Sequence, residues 1–304
     1  MHAASPPRKT VAPETTAVLP LLALIVANAA LAFGPWFVRL SDTGPVASAF
    51  WRITLAAPVL LAAALATGWR PRQKKDEGGL SRGLWAMVAL GGLCFAADLA
   101  SWHLGIVRTT LANATLFGNS ATLMFPIYGF LIARAWPTRL QGIALALATA
   151  GAALLMGRSY QLDPRHLTGD LLCLLAGILY TGYFIVMARL RRTMAPLPAL
   201  ALSTLASVMP LLAFALLLGE KLFPTDWTPL IGLALGGQMI GQGLMIYALG
   251  RLPPLTVGLG LLTQPVIAGT VGWVVYDERL GLADLFGAVC VGVALVLVSR
   301  RARA

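Results

Sequence analysis

The sequence is poor in charge, in histidine and in cysteine. Only 12% of its 304 residues are charged, and it has three His and three Cys. Cys94, Cys173 and Cys290 each lie alone in an apolar stretch, so they do not form a metal site and are expected to be packing residues. Because HExxH, GxSxG and Walker A motifs are also missing, we expect no enzyme activity and no cofactor.

Apolar side chains are what the sequence has in abundance. Hydrophobic residues make up 58% of the chain, and the mean hydropathy is +0.78. One crossing of a hydrocarbon core takes about 20 helical residues, so ten crossings take roughly 200. The sequence therefore predicts an all-α integral membrane protein with ten transmembrane helices. We place them at residues 17–38, 46–67, 83–107, 109–132, 139–157, 168–189, 198–218, 229–250, 254–275 and 282–299.

The second half of the chain resembles the first. Residues 105–134 align with residues 248–277, and residues 140–158 align with residues 284–300. Each copy holds five predicted spans, and an odd number places the two copies in opposite orientations in the membrane. The expected fold is a pair of inverted five-helix repeats.

The predicted boundaries leave only short tails. Residues 1–16 are expected to be a disordered cytoplasmic tail, residues 17–157 the first repeat and residues 168–300 the second. The start of the chain also resembles a cleavable signal peptide, with Ala27-Asn28-Ala29 as the cleavage site. Since the apolar stretch continues past that site, we interpret it as a retained first span.

The basic residues indicate an orientation. Lys and Arg total 23, and most fall in segments on the same side of the membrane as the N-terminus. The positive-inside rule then places both termini in the cytoplasm. Because the charge lies in alternate loops, no continuous basic face is available for nucleic acid, and we expect no nucleic-acid partner.

A family resemblance rests on residues 101–137, which are similar to the third to fifth helices of the EamA family in the drug/metabolite transporter superfamily. In the second copy, Asp277-Glu278-Arg279 matches the family's acidic residue after the ninth helix, and Gln264-Pro265 its mid-helix proline. The first copy departs from the pattern, with Ala133-Arg134-Ala135 and Thr122 in those places.

The resemblance implies ten helices around a central cavity that carries small metabolites, commonly amino acids, out of the bacterial cytoplasm. It leaves open a multidrug, organic-cation or nucleoside efflux carrier. A non-transporting membrane scaffold is the alternative from another class, and its polar groups would lie at random depths. The expected partners are a small-molecule substrate and membrane lipid. The Gly-rich fifth and tenth spans leave a homodimer open.

Asp98 is the acidic residue deepest within a predicted span. It lies about 15 Å of helix from Arg108, near the bilayer midplane, where an ionisable group usually faces a cavity or a partner. It is a candidate ligand for a cationic group or a proton site, and the alternative is a structural hydrogen bond. Trp102 follows one turn later on the same face, for stacking on a substrate or for anchoring at the lipid interface.

Two further ionisable groups lie nearer the outer surface. Protonation of His103 could couple to transport, and a hydrogen bond to a loop or headgroup is an equal alternative. Arg52 could meet a substrate carboxylate, although snorkelling of its long side chain toward the headgroups is the favoured interpretation.

Neutral polar residues collect at the depth of Asp98. They are Asn28, Asn119, Tyr180, Gln238, Gln242 and Gln264. Each taken singly is typical of an interhelical hydrogen bond. A cluster at one depth from both copies favours a midplane binding site between the halves, used by alternating access.

Overall fold

The computed structural model describes residues 18–67, 69, 82–109, 111–134, 136–157, 164–264, 266–267 and 282–301. Within these ranges the regular structure is helical, and no strand forms. The predicted N-terminal tail, Pro265 and the Asp277-Glu278-Arg279 motif lie outside the described residues.

The first half of the chain forms seven described helices. They are α1 (Val18–Ala32), α2 (Gly34–Leu40), α3 (Pro45–Ala66), α4 (Arg82–Ile106), α5 (Leu111–Gly118), α6 (Ala121–Ala133) and α7 (Arg139–Gly157). The first predicted span is interrupted between α1 and α2, since Pro35 at the start of α2 lacks the N–H needed to continue the α1 ladder. The fourth is interrupted at Asn119 and Ser120.

The second half contains α8 (Leu167–Leu190), α9 (Pro196–Leu217), α10 (Thr228–Gly232), a π-helical segment (Leu233–Gln242), α11 (Gly243–Leu249), α12 (Pro254–Leu261) and α13 (Leu282–Arg301). The helices α3, α9, α10 and α12 each carry proline in the first turn, where its missing N–H has no helical partner to lose.

Six helical stretches are long and apolar enough to cross a membrane. They are Val18–Leu40, Pro45–Ala66, Arg82–Ile106, Pro164–Leu190, Pro196–Leu217 and Thr228–Leu249. Two shorter apolar helices, Ala121–Ala133 and Leu285–Leu297, accompany them. The bounds of the six long stretches agree with the corresponding predicted spans within a few residues. The total of ten spans stays a prediction.

The helix pairs that pack together correspond when the halves are exchanged. The packing of α4 on α8 has its counterpart in the packing of α11 and the π-helical segment on α1. Likewise, α4 on α9 corresponds to the π-helical segment on α3. Three pairs stay the same when the halves are exchanged, because each joins a helix to its own counterpart: α3 with α9, α6 with α12 and α7 with α13. These main packing pairs are thus shared between the two halves.

The Gly-rich spans considered for a homodimer, α7 and α13, pack against each other within one chain. A Cβ added at Gly151 would lie 2.6 Å from the Gly287 carbonyl oxygen, so the two backbones approach closely. This glycine serves a contact inside the chain.

Candidate functional site

A partly open cavity of about 70 Å³ lies where the two halves meet. Helices from both halves line it, including the junction of α1 and α2. The lining residues are Leu31, Ala32, Pro35, Arg52, Asp98, Leu99, Trp102, Ala114, Thr115, Gly118, Asn119, Tyr180, Gln242 and Gln264. Seven of the ten candidates named from the sequence are therefore brought to one cavity: Arg52, Asp98, Trp102, Asn119, Tyr180, Gln242 and Gln264.

Asp98 and Trp102 project from successive turns of α4 into this cavity. Asp98 is 7% exposed. The Trp102 ring occupies a slot between two glycines, since a Cβ at Gly34 would lie 3.1 Å from its Cη2 and a Cβ at Gly118 3.0 Å from its Nε1. The structure thus places Trp102 in the cavity wall.

Arg52 turns inward from α3. Its side chain is 2% exposed, and its Nη2 donates to the carbonyl oxygen of Gly237 in the π-helical segment at 3.4 Å. The favoured interpretation, in which the guanidinium snorkels to the headgroups, is therefore wrong. The glycine-rich π-helical segment opposite α3 leaves room for the guanidinium. The position of Arg52 near the end of a predicted span does not reveal this room.

The second half supplies neutral polar groups. The Nε2 of Gln242 donates to the Tyr180 hydroxyl at 2.9 Å. The Nε2 of Gln264 donates to the Oδ1 of Asn28 at 2.8 Å, and the Nδ2 of Asn28 donates to the Leu24 carbonyl at 2.7 Å. Asn28 does not line the cavity but holds Gln264 in place.

His103 and Gln238 lie outside the cavity lining. His103 is fully buried, with its Nδ1 2.8 Å from the Ser48 hydroxyl and 3.1 Å from the Pro45 carbonyl oxygen. It ties α4 to the start of α3, so a headgroup does not contact it. Gln238 donates to the Thr204 hydroxyl at 2.9 Å and joins the π-helical segment to α9. Both residues make interhelical hydrogen bonds.

One buried carboxylate was missed from the sequence. Asp170, in the first turn of α8, is 6% exposed and accepts hydrogen bonds from the Thr109 hydroxyl at 2.6 Å and from the Nδ2 of Asn113 at 3.0 Å. These bonds fix the turn that leads into α5, which carries part of the cavity wall. The sequence put Asp170 at a loop end, and only the packing of α5 on α8 buries it.

Aromatic rings fill the bundle on the side of the cavity toward the C-terminal ends of α6 and α8. The Phe184 ring lies 4.2 Å from that of Tyr180 and 5.4 Å from that of Phe125, measured between centroids. Tyr128 stacks on Phe125 one turn further. The polar lining of the cavity lies on the other side of these rings, toward the N-terminal ends of α6 and α8.

Loops from the two halves contact each other at the end of the bundle where the polar lining lies. Lys221 forms an ion pair with Asp42 at 2.7 Å, and the Thr225 N–H donates to the same carboxylate. These donors lower the pKa of Asp42, which lies outside the spans, below its usual value. Glu220 accepts the Ala47 N–H at 2.7 Å. The α2–α3 loop is thus held to the α9–α10 loop.

Comparison with known proteins gives the family. The model of the EamA-like transporter family matches residues 18–157 and 167–300. The chain belongs to this family. It is accordingly a multi-pass membrane protein of a transporter family.

Relatives of this EamA-like protein support the same class. An uncharacterized transporter of Archaeoglobus fulgidus is 26% identical over 149 residues, which cover 49% of this chain and 50% of that protein. The match therefore spans about half the length of that relative. A solved structure titled "Crystal structure of protein" has a TM-score of 0.74 at 17% identity and covers 93% of this chain and 97% of that one. That likeness shows the fold.

Proposed function

We propose that this EamA-like protein exports small metabolites such as amino acids from the cytoplasm across the bacterial inner membrane. The observation that carries the proposal is that Arg52, Asp98, Tyr180, Gln242 and Gln264, from both halves, line one cavity. Convergent polar groups in an apolar pocket between two repeats are typical of a transport site. The route needs one chain, since both halves of that chain supply the lining.

The proposed architecture is two inverted five-helix repeats with both termini in the cytoplasm. Two features support it: the helix pairs correspond when the halves are exchanged, and the family model matches each half. In this orientation the N-terminal end of α5 and the C-terminal end of α4 face outward, so the cavity lies toward the outer side. The aromatic rings around Phe184 then close its cytoplasmic side.

The proposed mechanism is alternating access, and this arrangement supports it. Rocking of the two halves would separate the rings of Phe125 and Phe184 and expose the same polar groups to the cytoplasm. The outer side would close around Trp102. Substrate would thus move without a continuous pore.

Flux in proteoliposomes tests the function. Proteoliposomes that contain the full-length protein and are loaded with labelled amino acids should release them faster than protein-free vesicles. Unlabelled amino acid on the opposite side should accelerate the exchange. Release of labelled organic cations or nucleosides alone would favour the other carriers that the family leaves open. Equal leakage of all solutes would indicate a channel. Absence of flux for every solute would reject transport and favour the non-transporting scaffold.

Single cysteines test the inversion. Ser41 follows α2, and the exposed Thr193 occupies the equivalent loop after α8. We expect an impermeant maleimide to label Ser41→Cys from outside the cell and Thr193→Cys only after the membrane is opened. Labelling of both from the same side would reject the inverted repeats.

A further inference from the structure

The cavity contains one positive and one negative group that do not pair with each other. Arg52 on α3 and Asp98 on α4 both line it, and they are 2% and 7% exposed. No ion pair within 4 Å joins these two residues, both of which the structure describes. Each charge is therefore buried in the bundle and directed to the same space.

Neither group is fully satisfied by the protein. Arg52 makes a long hydrogen bond of 3.4 Å to the Gly237 carbonyl, and its Nε has no partner in the described part of the chain. For the Asp98 carboxylate, no donor lies within hydrogen-bond distance among the residues that the structure describes. Buried charges are costly unless they are paired and hydrogen-bonded. A ligand that carries the two complementary charges would supply both missing partners.

We propose that this cavity selects zwitterions, with the substrate's carboxylate bound by Arg52 and its ammonium group bound by Asp98. The inference rests on the proposed function and narrows its substrate class. A zwitterion leaves the net charge of the cavity unchanged and pairs both buried groups. A simple amine leaves Arg52 unpaired, a simple acid leaves Asp98 unpaired, and an uncharged nucleoside pairs neither.

The remaining lining fits such a ligand. The Oε1 of Gln242 has no hydrogen-bond partner among the described residues, and it is an acceptor available to an ammonium group. The Trp102 ring, fixed in its glycine slot one turn from Asp98, offers an apolar face for the rest of the substrate. Specificity for the two charges therefore comes from α3 and α4.

Ligand-induced thermal stabilisation of the purified full-length protein tests the proposal directly. The twenty standard amino acids are screened first, and the strongest ligand is compared with its decarboxylated amine and its deaminated acid. For phenylalanine these are phenethylamine and 3-phenylpropionate. We expect the amino acid to bind roughly 10- to 100-fold more tightly than either analogue, which is the range for one charge-assisted hydrogen bond. Stabilisation by the amine or the acid at lower concentration, or by none of the amino acids, would overturn the proposal.

Two substitutions should relax the preference in opposite directions. In Asp98→Asn the acid should bind as well as the amino acid, and in Arg52→Gln the amine should do so. Asp42→Asn removes a carboxylate outside the cavity and should keep the wild-type ranking. If both variants lose affinity for the amino acid while the ranking of the analogues stays unchanged, the assignment is wrong. If Asp98→Asn does not fold, Asp98→Glu is tested in its place, and if Arg52→Gln does not fold, Arg52→Lys is tested. These variants keep the charge, so the proposal requires them to keep the preference for the zwitterion over both analogues.

Failure of this inference can be told apart from failure of the transport function. Flux of nucleosides or organic cations without binding of any amino acid would overturn the zwitterion site and leave transport standing. Binding of a zwitterion without flux in proteoliposomes would overturn transport and leave the site standing.

Discussion

The two halves of the chain contribute different chemistry to the same cavity. The first half supplies the charged wall, defined as Arg52 and Asp98, and the second supplies the neutral wall, defined as Tyr180, Gln242 and Gln264. On the charged wall the side chains have few partners within the protein. On the neutral wall, Gln242 bonds to Tyr180 and Gln264 bonds to Asn28.

The alignment of the two copies shows how this difference arises. With Arg108 matched to Arg251, Asp98 corresponds to Gly241 and Leu99 corresponds to Gln242. The same stretch of helix thus carries a carboxylate in one copy and an amide one position later in the other. The repeated pattern of apolar residues and glycine keeps the main packing pairs shared between the halves, while single substitutions on the lining make the cavity chemically one-sided.

Loss of a charge should have the largest effect on this contrast. Arg52→Met removes the buried guanidinium and its hydrogen bond to the Gly237 carbonyl, and we expect the free energy of unfolding to fall by about 2 kcal/mol, within the range for a hydrogen bond that involves a charged group. Denaturant unfolding in detergent measures it. The double variant Arg52→Met/Asp98→Asn should be more stable than the single one. Equal stability of the two would show that the charged wall is not electrostatically coupled.

Loss of a hydroxyl on the neutral wall should cost less. Tyr180→Phe removes the acceptor for Gln242, and we expect a loss of about 1 kcal/mol in unfolding free energy with transport reduced but present. Tyr183→Phe is the matched control, because the Tyr183 hydroxyl lies 3.5 Å from Ser203 and outside the lining. A loss at Tyr180 as large as that at Arg52 would remove the distinction between the walls.

The slot around Trp102 offers a finer test. Ala in place of Gly favours a helix by about 0.5–1 kcal/mol, but Gly118→Ala would bring a Cβ to 3.0 Å from the Trp102 Nε1. We expect Gly118→Ala to slow flux in proteoliposomes while the protein stays folded. Gly292→Ala, with nothing within 4 Å of its added Cβ, should leave flux unchanged. Equal flux in both variants would mean that the Trp102 position does not matter.

The smallest effect is expected outside the membrane. Because the folded-state pKa of Asp42 is lowered by Lys221 and Thr225, its contribution to stability is present above its unfolded pKa of about 3.9 and is lost as the pH falls through the lower folded value. Between pH 5 and 8 the unfolding temperatures of wild type and Asp42→Asn should run parallel. Convergence of the two curves should begin only below about pH 4. A difference that changes within pH 5 to 8 would point to another titrating group.

Sequence reasoning located the depth of the site better than the direction of its side chains. Helical rise alone put Asp98, Tyr180 and Gln242 at one level, and all three line the cavity. It failed for Arg52, whose inward course depends on the backbone of the π-helical segment opposite. It also left open a loop or a headgroup as the partner of His103, whereas the hydrogen bond to Ser48 requires the contact between α3 and α4.

The amino-acid sequence by itself determined that this is a membrane protein and where its six long apolar helical stretches lie, because the length and apolar character of each stretch are local properties. It also determined the family, since the two copies match it in order. Only the tertiary structure decided which polar residues share a cavity and which hold helices together, as with Gln242 and Gln238, four residues apart in one span. That outcome depends on which neighbouring helix each side chain meets, and such contacts join residues far apart in the chain.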